Sequence, residues 1–264
     1  MTTYPLVLAD SATMLRRNLR RMRRYPSLTF FIAGIPVVFL LLFVYVFGGT
    51  LGAGLGDVSG GRAEYVAYVV PGILLITVAG AAQGTAISVA MDMTEGIIDR
   101  FRTMAIARIS VLTGHVIGSV IQTMLAIAIV VGVALLIGFR PTTGPAEWVA
   151  AAGLLALAAL AVSWLSIALG MVPKDVETAS NLPMFLVLLP FLSSGFVPTD
   201  SMPDGLSWFA ENQPFTPIIE TVRGLLLGTP IGGSGVLAAA WCVGISVVGY
   251  VWARRLYDRS PARG

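Results

Sequence analysis

The chain has 264 residues, 56 % of them hydrophobic and 12 % charged, with a mean hydropathy of +0.84 and a formal net charge of +3. Soluble domains carry roughly a quarter charged residues, so this composition excludes an ordinary soluble globular protein. The apolar residues gather in long runs, and a run of about 20 residues crosses a hydrocarbon core of about 30 Å at about 1.5 Å per residue.

Six spans are predicted, at roughly 28–47, 66–90, 111–138, 149–172, 182–198 and 236–253. The first is preceded by "MLRRNLRRMRRYP", in which Met14 or Leu15, Leu19 and Met22 recur at helical spacing with arginines over most of the other face. That pattern fits an interfacial helix with its apolar side in the acyl boundary, and it also serves as a topology signal. No cleavable signal peptide is expected, so the first span doubles as the targeting segment. Pro36, Pro71, Pro183 and Pro190 fall inside spans and predict local kinks.

Between the second and third spans lies "MDMTEGIIDRFRTMAIAR", residues 91–108. Asp92 with Glu95 three residues later reads as a capping box. Met93, Ile97, Phe101 and Met104 then share one helical face, and Asp99 and Arg102 are spaced to pair. Gly96 weakens such a helix by roughly 1 kcal/mol, so it needs a partner surface. The residues fit a short interfacial connector and a docking helix for a cytoplasmic subunit equally well.

Small residues mark the second and third spans: Gly80, Gly84 and Ser88 on one, Gly114 and Gly118 running on to Gln122 on the other. Such stripes let helices approach closely. Gln83 and Gln122 are candidate path-lining residues, with interhelical hydrogen bonding as the plainer role. After the fifth span comes "SSGFVPTDSMPDGLSWFAENQPFTP", residues 193–217, rigid and half polar. Irregular backbone exposed to lipid leaves N–H and C=O groups unpaired at several kcal/mol each. The stretch 193–227 is therefore expected to break near Gly195 to Pro198 and re-enter as two short half-helices. Asp204 or Ser201 caps the first, and Pro214 to Pro217 turn the chain into the second. Trp208 and Phe209 suit the headgroup level. Arg223 either snorkels outward or pairs with Glu220.

Fourteen of the 17 Lys and Arg residues fall at the N-terminus, in loops 91–110 and 173–181, and after the last span. Arg62, Arg140 and Arg223 are on the other side, while the acids divide evenly. Both termini are therefore expected in the cytoplasm. Lys174, the only lysine, is followed by Asp175, so no G-x-x-x-x-G-K-[ST] phosphate loop exists and the chain alone is no P-loop ATPase. His115 is the sole histidine, which excludes a two-histidine metal site, and it is read as a packed or interfacial side chain rather than a proton relay. The single cysteine, Cys242, is a small packing residue. The basic cluster abuts a span, so no nucleic acid is expected as a partner.

"EGIIDRFRTMAIAR" followed by "SSGFVPTDSMPDGLSWFAENQPFTPIIETVRGLLLG" resembles the permease subunit of a type-2 ATP-binding-cassette exporter, nearest the daunorubicin-resistance-like permeases of actinobacteria. The first stretch matches the family loop at Gly96, Ile97, Arg100, Phe101, Arg102, Met104, Ile106 and Arg108. The second matches at Ser194, Gly195, Pro198, Met202, Pro203, Gln213, Pro214, Thr216, Arg223, Gly224 and Gly228. Ala105 departs from the pattern, where proline is usual, and loosens the expected turn.

The resemblance implies an all-α membrane protein of six transmembrane helices, with an N-terminal interfacial amphipathic helix, a cytoplasmic coupling helix and an extracellular re-entrant helical insertion. The divisions are a cytoplasmic N-terminus at 1–27, the transmembrane domain at 28–253 with its insertion at about 193–227, and a basic tail at 254–264. It further implies a multi-pass protein of the bacterial cell membrane, dimeric with an identical or homologous permease and bound to two separate ATPase subunits that hold ATP and Mg. The chain itself would be non-catalytic, with no cofactor and no metal. Glu95, Gly96, Ile97, Asp99, Arg100, Phe101 and Arg102 would couple to the ATPase. Ser194, Gly195, Phe196, Pro198, Met202 and Pro203 would form an extracellular gate. The expected cargo is a hydrophobic or amphipathic compound, drug-like or lipid. The alternatives are a polysaccharide or glycolipid exporter and an ATP-independent secondary transporter.

Overall fold

The computed structural model describes residues 26–49, 61–94, 108–173 and 176–259, and every regular element among them is helical. Helix α1 (Pro26–Leu42) opens on proline, whose missing N–H costs nothing at a first helical position, and runs into a π-helical turn over Phe43–Phe47. Helix α2 (Gly61–Thr94) has 34 residues, and α3 (Arg108–Ile137) follows it. Helix α4 (Pro145–Met171) again begins on proline, with Glu147 in the first turn where the helix dipole favours an acid. Three short pieces come next: α5 (Val176–Asn181), α6 (Met184–Leu188) and a 3-10 turn over Leu189–Leu192. A second 3-10 turn at Thr199–Ser201 precedes α7 (Asp204–Asn212) and α8 (Phe215–Leu227), and α9 (Ser234–Arg259) closes the fold.

Among the described residues four helices are long and apolar enough to cross a membrane, at Ala63–Thr94, Leu112–Ile137, Pro145–Met171 and Ser234–Asp258. Shorter apolar helices at Ile32–Phe47 and Glu177–Leu192 occupy the positions of the first and fifth predicted spans. Helix α2 is the centre. It is apolar on every side and buried without interruption from Val69 to Ala79, as expected of a helix enclosed by others. Helix α4 packs against it and, most extensively of all, against α9; α1 and α3 cover one flank of α2, and α8 joins α2, α4 and α9.

Close packing between distant segments of the chain depends on glycine at three of the described positions. A Cβ on Gly170 of α4 would stand 2.5 Å from the Ala86 carbonyl oxygen of α2. One on Gly249 of α9 would meet the Leu165 amide nitrogen at 2.7 Å, beside the edge-to-face pair of Trp164 and Tyr250. One on Gly72 of α2 would meet the Gly195 carbonyl oxygen at 2.8 Å. Backbone lies against backbone at each, as membrane helix pairs require when dispersion rather than water drives association.

The stretch predicted as a fifth span, 182–198, is not one helix. Leu182 and Pro183 interrupt it, α6 tightens into the 3-10 turn around Pro190, and the chain turns extended at Ser193. The break thus falls at Ser193, earlier than Gly195 to Pro198, because two prolines remove backbone donors that the helix needs. Two short helices, α7 and α8, follow the break where two half-helices were expected. Neither Asp204 nor Ser201 caps α7: Pro203 holds the N-cap position, Asp204 occupies the first turn, and Ser201 gives its hydroxyl to the Pro198 carbonyl. Pro214 caps α8, and Trp208 stands out of α7 with 68 % of its surface exposed.

The predicted interfacial helix at 14–24 and the coupling residues Glu95, Gly96, Ile97, Asp99, Arg100, Phe101 and Arg102 lie outside the described residues.

Candidate functional site

A cavity of about 500 Å³ lies between α1, α2, α3 and α6, at the end of the bundle where α1 begins, α2 ends and α3 begins. Ile32, Ile35, Ile76, Ile87, Met91 and Val187 make its apolar wall. The seam of α2 and α3 makes a polar one from Gln83, Thr85, Ser88, His115, Ser119 and Gln122. Both glutamines expected to line a path are therefore in one wall. The glycine stripe does something other than its spacing predicts. A Cβ on Gly80 or Gly84 meets nothing within 4 Å, and both residues, with Gly118, face the cavity. Here glycine leaves space open rather than drawing two helices together.

Two polar groupings support this seam. Thr85 donates its only hydroxyl proton to the Ala81 carbonyl (3.1 Å), so in its 2.6 Å contact with Ser119 it is the acceptor, and Ser119 in turn accepts from Ser163 at 3.0 Å. The result is a one-way chain of hydroxyls from α4 through α3 to α2, and Thr123 adds a 2.8 Å bond to the Ser119 carbonyl. Nearer the bundle end, His115 Nε2 lies 3.0 Å from Asp92 Oδ2, both residues being 7 % exposed.

Asp92 is thus not the cap of a new helix. It sits in the last turn of α2, which continues to Thr94, and an acid buried there is stabilised by its imidazole partner. The D-x-x-E spacing resembles a capping box only if the preceding helix has ended.

At the opposite end, the expected gate residues divide. Ser194, Gly195 and Phe196 are buried together. Gly195 rests on Gly72, and the Phe196 ring stacks on Phe191 (5.1 Å, 14°) and lies 4.7 Å from Phe43 of the π-turn. Phe39 meets Phe191 edge-on at 5.5 Å, completing an aromatic ladder between α1 and the insertion. Pro198, Met202 and Pro203 instead belong to the outer turn, where Met202 is half-buried and Pro203 exposed.

The QPxT and RGL…G residues hold this arrangement. Gln213 donates through Nε2 to the Leu189 and Leu192 carbonyls, each at 3.0 Å, satisfying the end of the broken helix. Thr216 gives its hydroxyl to the Ala210 carbonyl and accepts from the Ser194 amide at 3.4 Å. Gly228 ends α8 at φ 72°, a left-handed cap. Thr142 and Thr143, from the α3–α4 connection, donate hydroxyls to the freed Leu227 and Leu226 carbonyls.

Arg223 neither snorkels nor pairs directly with Glu220, which accepts from Ser234 at 2.9 Å. The guanidinium turns inward, donating to the Ser194 carbonyl at 2.7 Å and the Tyr68 carbonyl at 3.2 Å, 3.9 Å above the Tyr68 ring. The tyrosine face and two carbonyls take the place of a carboxylate. Sequence spacing gives no sign of either this contact or the Asp92–His115 pair, because their partners are 155 and 23 residues apart. An ionisable residue inside an apolar run was the one available signal.

A family model described as "ABC-2 type transporter" matches residues 11–227. The chain is 31 % identical over 241 residues to the daunorubicin resistance ABC transporter permease protein DrrB1 of Streptomyces coeruleorubidus, covering 90 % of this chain and 80 % of that one. It is 25 % identical over 183 residues to the probable doxorubicin resistance ABC transporter permease protein DrrC of Mycobacterium tuberculosis, covering 68 % and 65 %.

Proposed function

The chain belongs to the ABC-2 type transporter family as a permease homologous to drug-resistance exporter permeases, and on that premise we propose that it is the membrane half of an ATP-driven exporter of hydrophobic or amphipathic compounds. In this reading six helices span the membrane, with α1 and the α5–α6 pair completing the four long ones. Both termini face the cytoplasm. Two separate ATPase subunits, carrying ATP and Mg, dock on the expected coupling helix within 91–108, and a second permease, identical or homologous, completes the path. Among the described residues no group of three His, Cys, Asp or Glu side chains could hold a metal ion, and the proposal needs none in this chain.

The observation that carries the reading is the cavity. Its volume of about 500 Å³ suits a drug-sized molecule or one lipid tail, within the usual range for small-molecule sites. Its lining combines apolar and polar side chains, as an amphipathic cargo requires. It also lies between the helix ends that enter and leave the expected coupling loop, so that a push on the loop reaches the cavity wall through one or two helical turns. A polysaccharide exporter would want aromatic rings along an open path, but Phe196 is buried and stacked against its neighbours rather than lining the cavity. An ATP-independent transporter is disfavoured because Asp92 is the one buried acid among the described residues.

The test is reconstitution. The chain co-expressed with its cognate ATPase is expected to bring that subunit through purification and to export a lipophilic fluorophore from proteoliposomes only with ATP. Export by the chain alone would overturn the proposal. Glu95→Lys or Arg102→Glu is expected to lower ATPase recovery several-fold, the scale of losing one or two charge-assisted contacts, with membrane insertion unchanged. Full recovery from both variants would remove the docking role of that loop.

A further inference from the structure

Among the described residues the buried apolar side chains form two cores rather than one. The larger takes α2 up to Ala82, α3 from Ile127 onward, α4 up to Val162 and α9 up to Cys242, with Leu169 its one member beyond those limits on these helices. The smaller joins the other ends of the same four helices, through Val89, Leu112, Val116, Trp164, Ile167 and Tyr257. What separates them is polar. Thr85 on α2, Ser119 and Thr123 on α3 and Ser163 on α4 each fall in the gap of their own helix, and none is more than 8 % exposed. On α9 the gap holds Ser246, whose buried hydroxyl has no hydrogen-bond partner among the described residues. The half-buried Val120 and Trp252 pack against both cores.

The hydroxyls of this layer make two kinds of bond. Ser163 donates to Ser119 at 3.0 Å and Ser119 to Thr85 at 2.6 Å, which ties α4 to α3 and α3 to α2. Thr85 and Thr123 donate instead to the carbonyl four residues back on their own helix, at 3.1 and 2.8 Å. That backward bond is open to any serine inside a helix. Ser163 and Ser119 can therefore give up the bonds between helices without stranding a buried proton, the costly outcome in an apolar interior. Methyl groups interlocked across the same layer would have no second arrangement of this kind. The chain is a two-state element, and Thr85 and Ser119 both belong to the cavity wall.

Resting on the exporter reading above, we propose that the chain Ser163–Ser119–Thr85 is a conformational latch between the two cores. Closed, it holds α3 to α2 and α4. Released, it lets the smaller core, which carries the helix ends flanking the expected coupling loop, shift as a block against the larger one and change the width of the cavity. Ser163 isolates this role, because it lies outside the cavity wall and its loss strands no donor: Ser119 still donates to Thr85.

The experiment places spin labels on the full-length permease in nanodiscs at Met184→Cys and Arg255→Cys, both exposed positions. Met184 is on α6 close to Leu186 of the larger core, and Arg255 is on α9 between Ala253 and Tyr257 of the smaller. The native Cys242 is wholly buried and stays unlabelled. Pulsed electron paramagnetic resonance then reads the distance between the blocks, and the parent is expected to show a major and a minor distance. Ser163→Ala is expected to raise the minor one about five-fold relative to the major, the scale of one neutral hydrogen bond. Ser163→Thr, which restores the hydroxyl, is expected to bring the ratio back toward the parent's.

An unchanged ratio in Ser163→Ala, a single distance in both proteins, or an equal rise in Ser163→Thr overturns the inference. In complex with the ATPase, ATP is expected to move the parent from the major to the minor distance. When ATP does so but Ser163→Ala leaves the ratio at the parent's value, the latch falls and the exporter reading stands. When Ser163→Ala shifts the ratio and ATP does not, the latch stands and the exporter reading falls.

Discussion

Gly170→Val is expected to leave no folded, monodisperse permease. The added Cβ would stand 2.5, 3.0 and 3.1 Å from the Ala86 carbonyl oxygen, Cα and carbonyl carbon of α2. None of these is the end of a flexible side chain, so the helices must separate. Separating α4 from α2 disturbs the packing of the two most buried helices. Overpacking a well-filled core costs about 1–3 kcal/mol where side chains yield, and backbone against backbone has no such relief. Gly170→Ala should already lower the apparent melting temperature by several degrees in a fluorescence-detected size-exclusion assay. The control is Gly153→Ala on the same helix, where a Cβ meets nothing within 4 Å and the residue is exposed. It is expected to change nothing or to stabilise slightly, since alanine favours a helix over glycine by about 1 kcal/mol. Equal melting temperatures for Gly170→Ala and the parent would refute the close approach of α2 and α4.

The same comparison separates two uses of glycine that sequence spacing cannot. Gly80 and Gly84 recur at an interval that suits a packing stripe, yet they open onto a cavity, whereas the close approaches fall at Gly72, Gly170 and Gly249, which stand in no stripe. Gly84→Val is accordingly expected to leave the melting temperature near the parent's and to weaken binding of cavity-sized fluorophores several-fold by filling their space.

Four long helices were legible because hydropathy reports how many consecutive residues tolerate lipid, and α2, α3, α4 and α9 answer that question directly. Their ends were less legible. Helix α2 outruns its apolar core at both ends, to Gly61 and Thr94, because hydrogen bonding along the helix continues into water and Asp92 finds His115. In the fifth apolar run the kinks at Pro183 and Pro190 were legible from the prolines themselves, whereas hydropathy, blind to backbone, would have made one unbroken span. That the stretch after the break would fold into two short helices was legible from the cost of unpaired backbone groups. Its fastenings were not, since Gln213, Thr216 and Arg223 act on carbonyls and hydroxyls that chain distance conceals.

Of those fastenings Arg223 carries the most, and Arg223→Met is expected to free the insertion from α2. Methionine keeps an unbranched apolar stem of similar reach but removes both carbonyl hydrogen bonds and the contact over the Tyr68 ring. A hydrogen bond from a charged donor contributes about 1.5–3 kcal/mol and a desolvated cation–π contact about 2. The cost of burying the guanidinium offsets part of that sum, leaving a net loss of about 2–4 kcal/mol. The Ser194 carbonyl loses its charged partner at the point where Gly195 rests against Gly72, so the loss acts where the backbones already touch with nothing between them. A membrane-impermeant maleimide reads this directly at Ser194→Cys, since Ser194 is buried and the native Cys242 lies wholly buried in α9. Labelling should be slow in the parent background and at least about ten-fold faster with Arg223→Met, the change that about 1.4 kcal/mol in a local opening equilibrium produces. Proteoliposomes of the same variant should leak a cavity-sized fluorophore without ATP if the insertion closes the path. Faster labelling without leak would make it a fastened but passive lid, and unchanged labelling would mean that the aromatic ladder of Phe39, Phe43, Phe191 and Phe196 holds the insertion without the arginine.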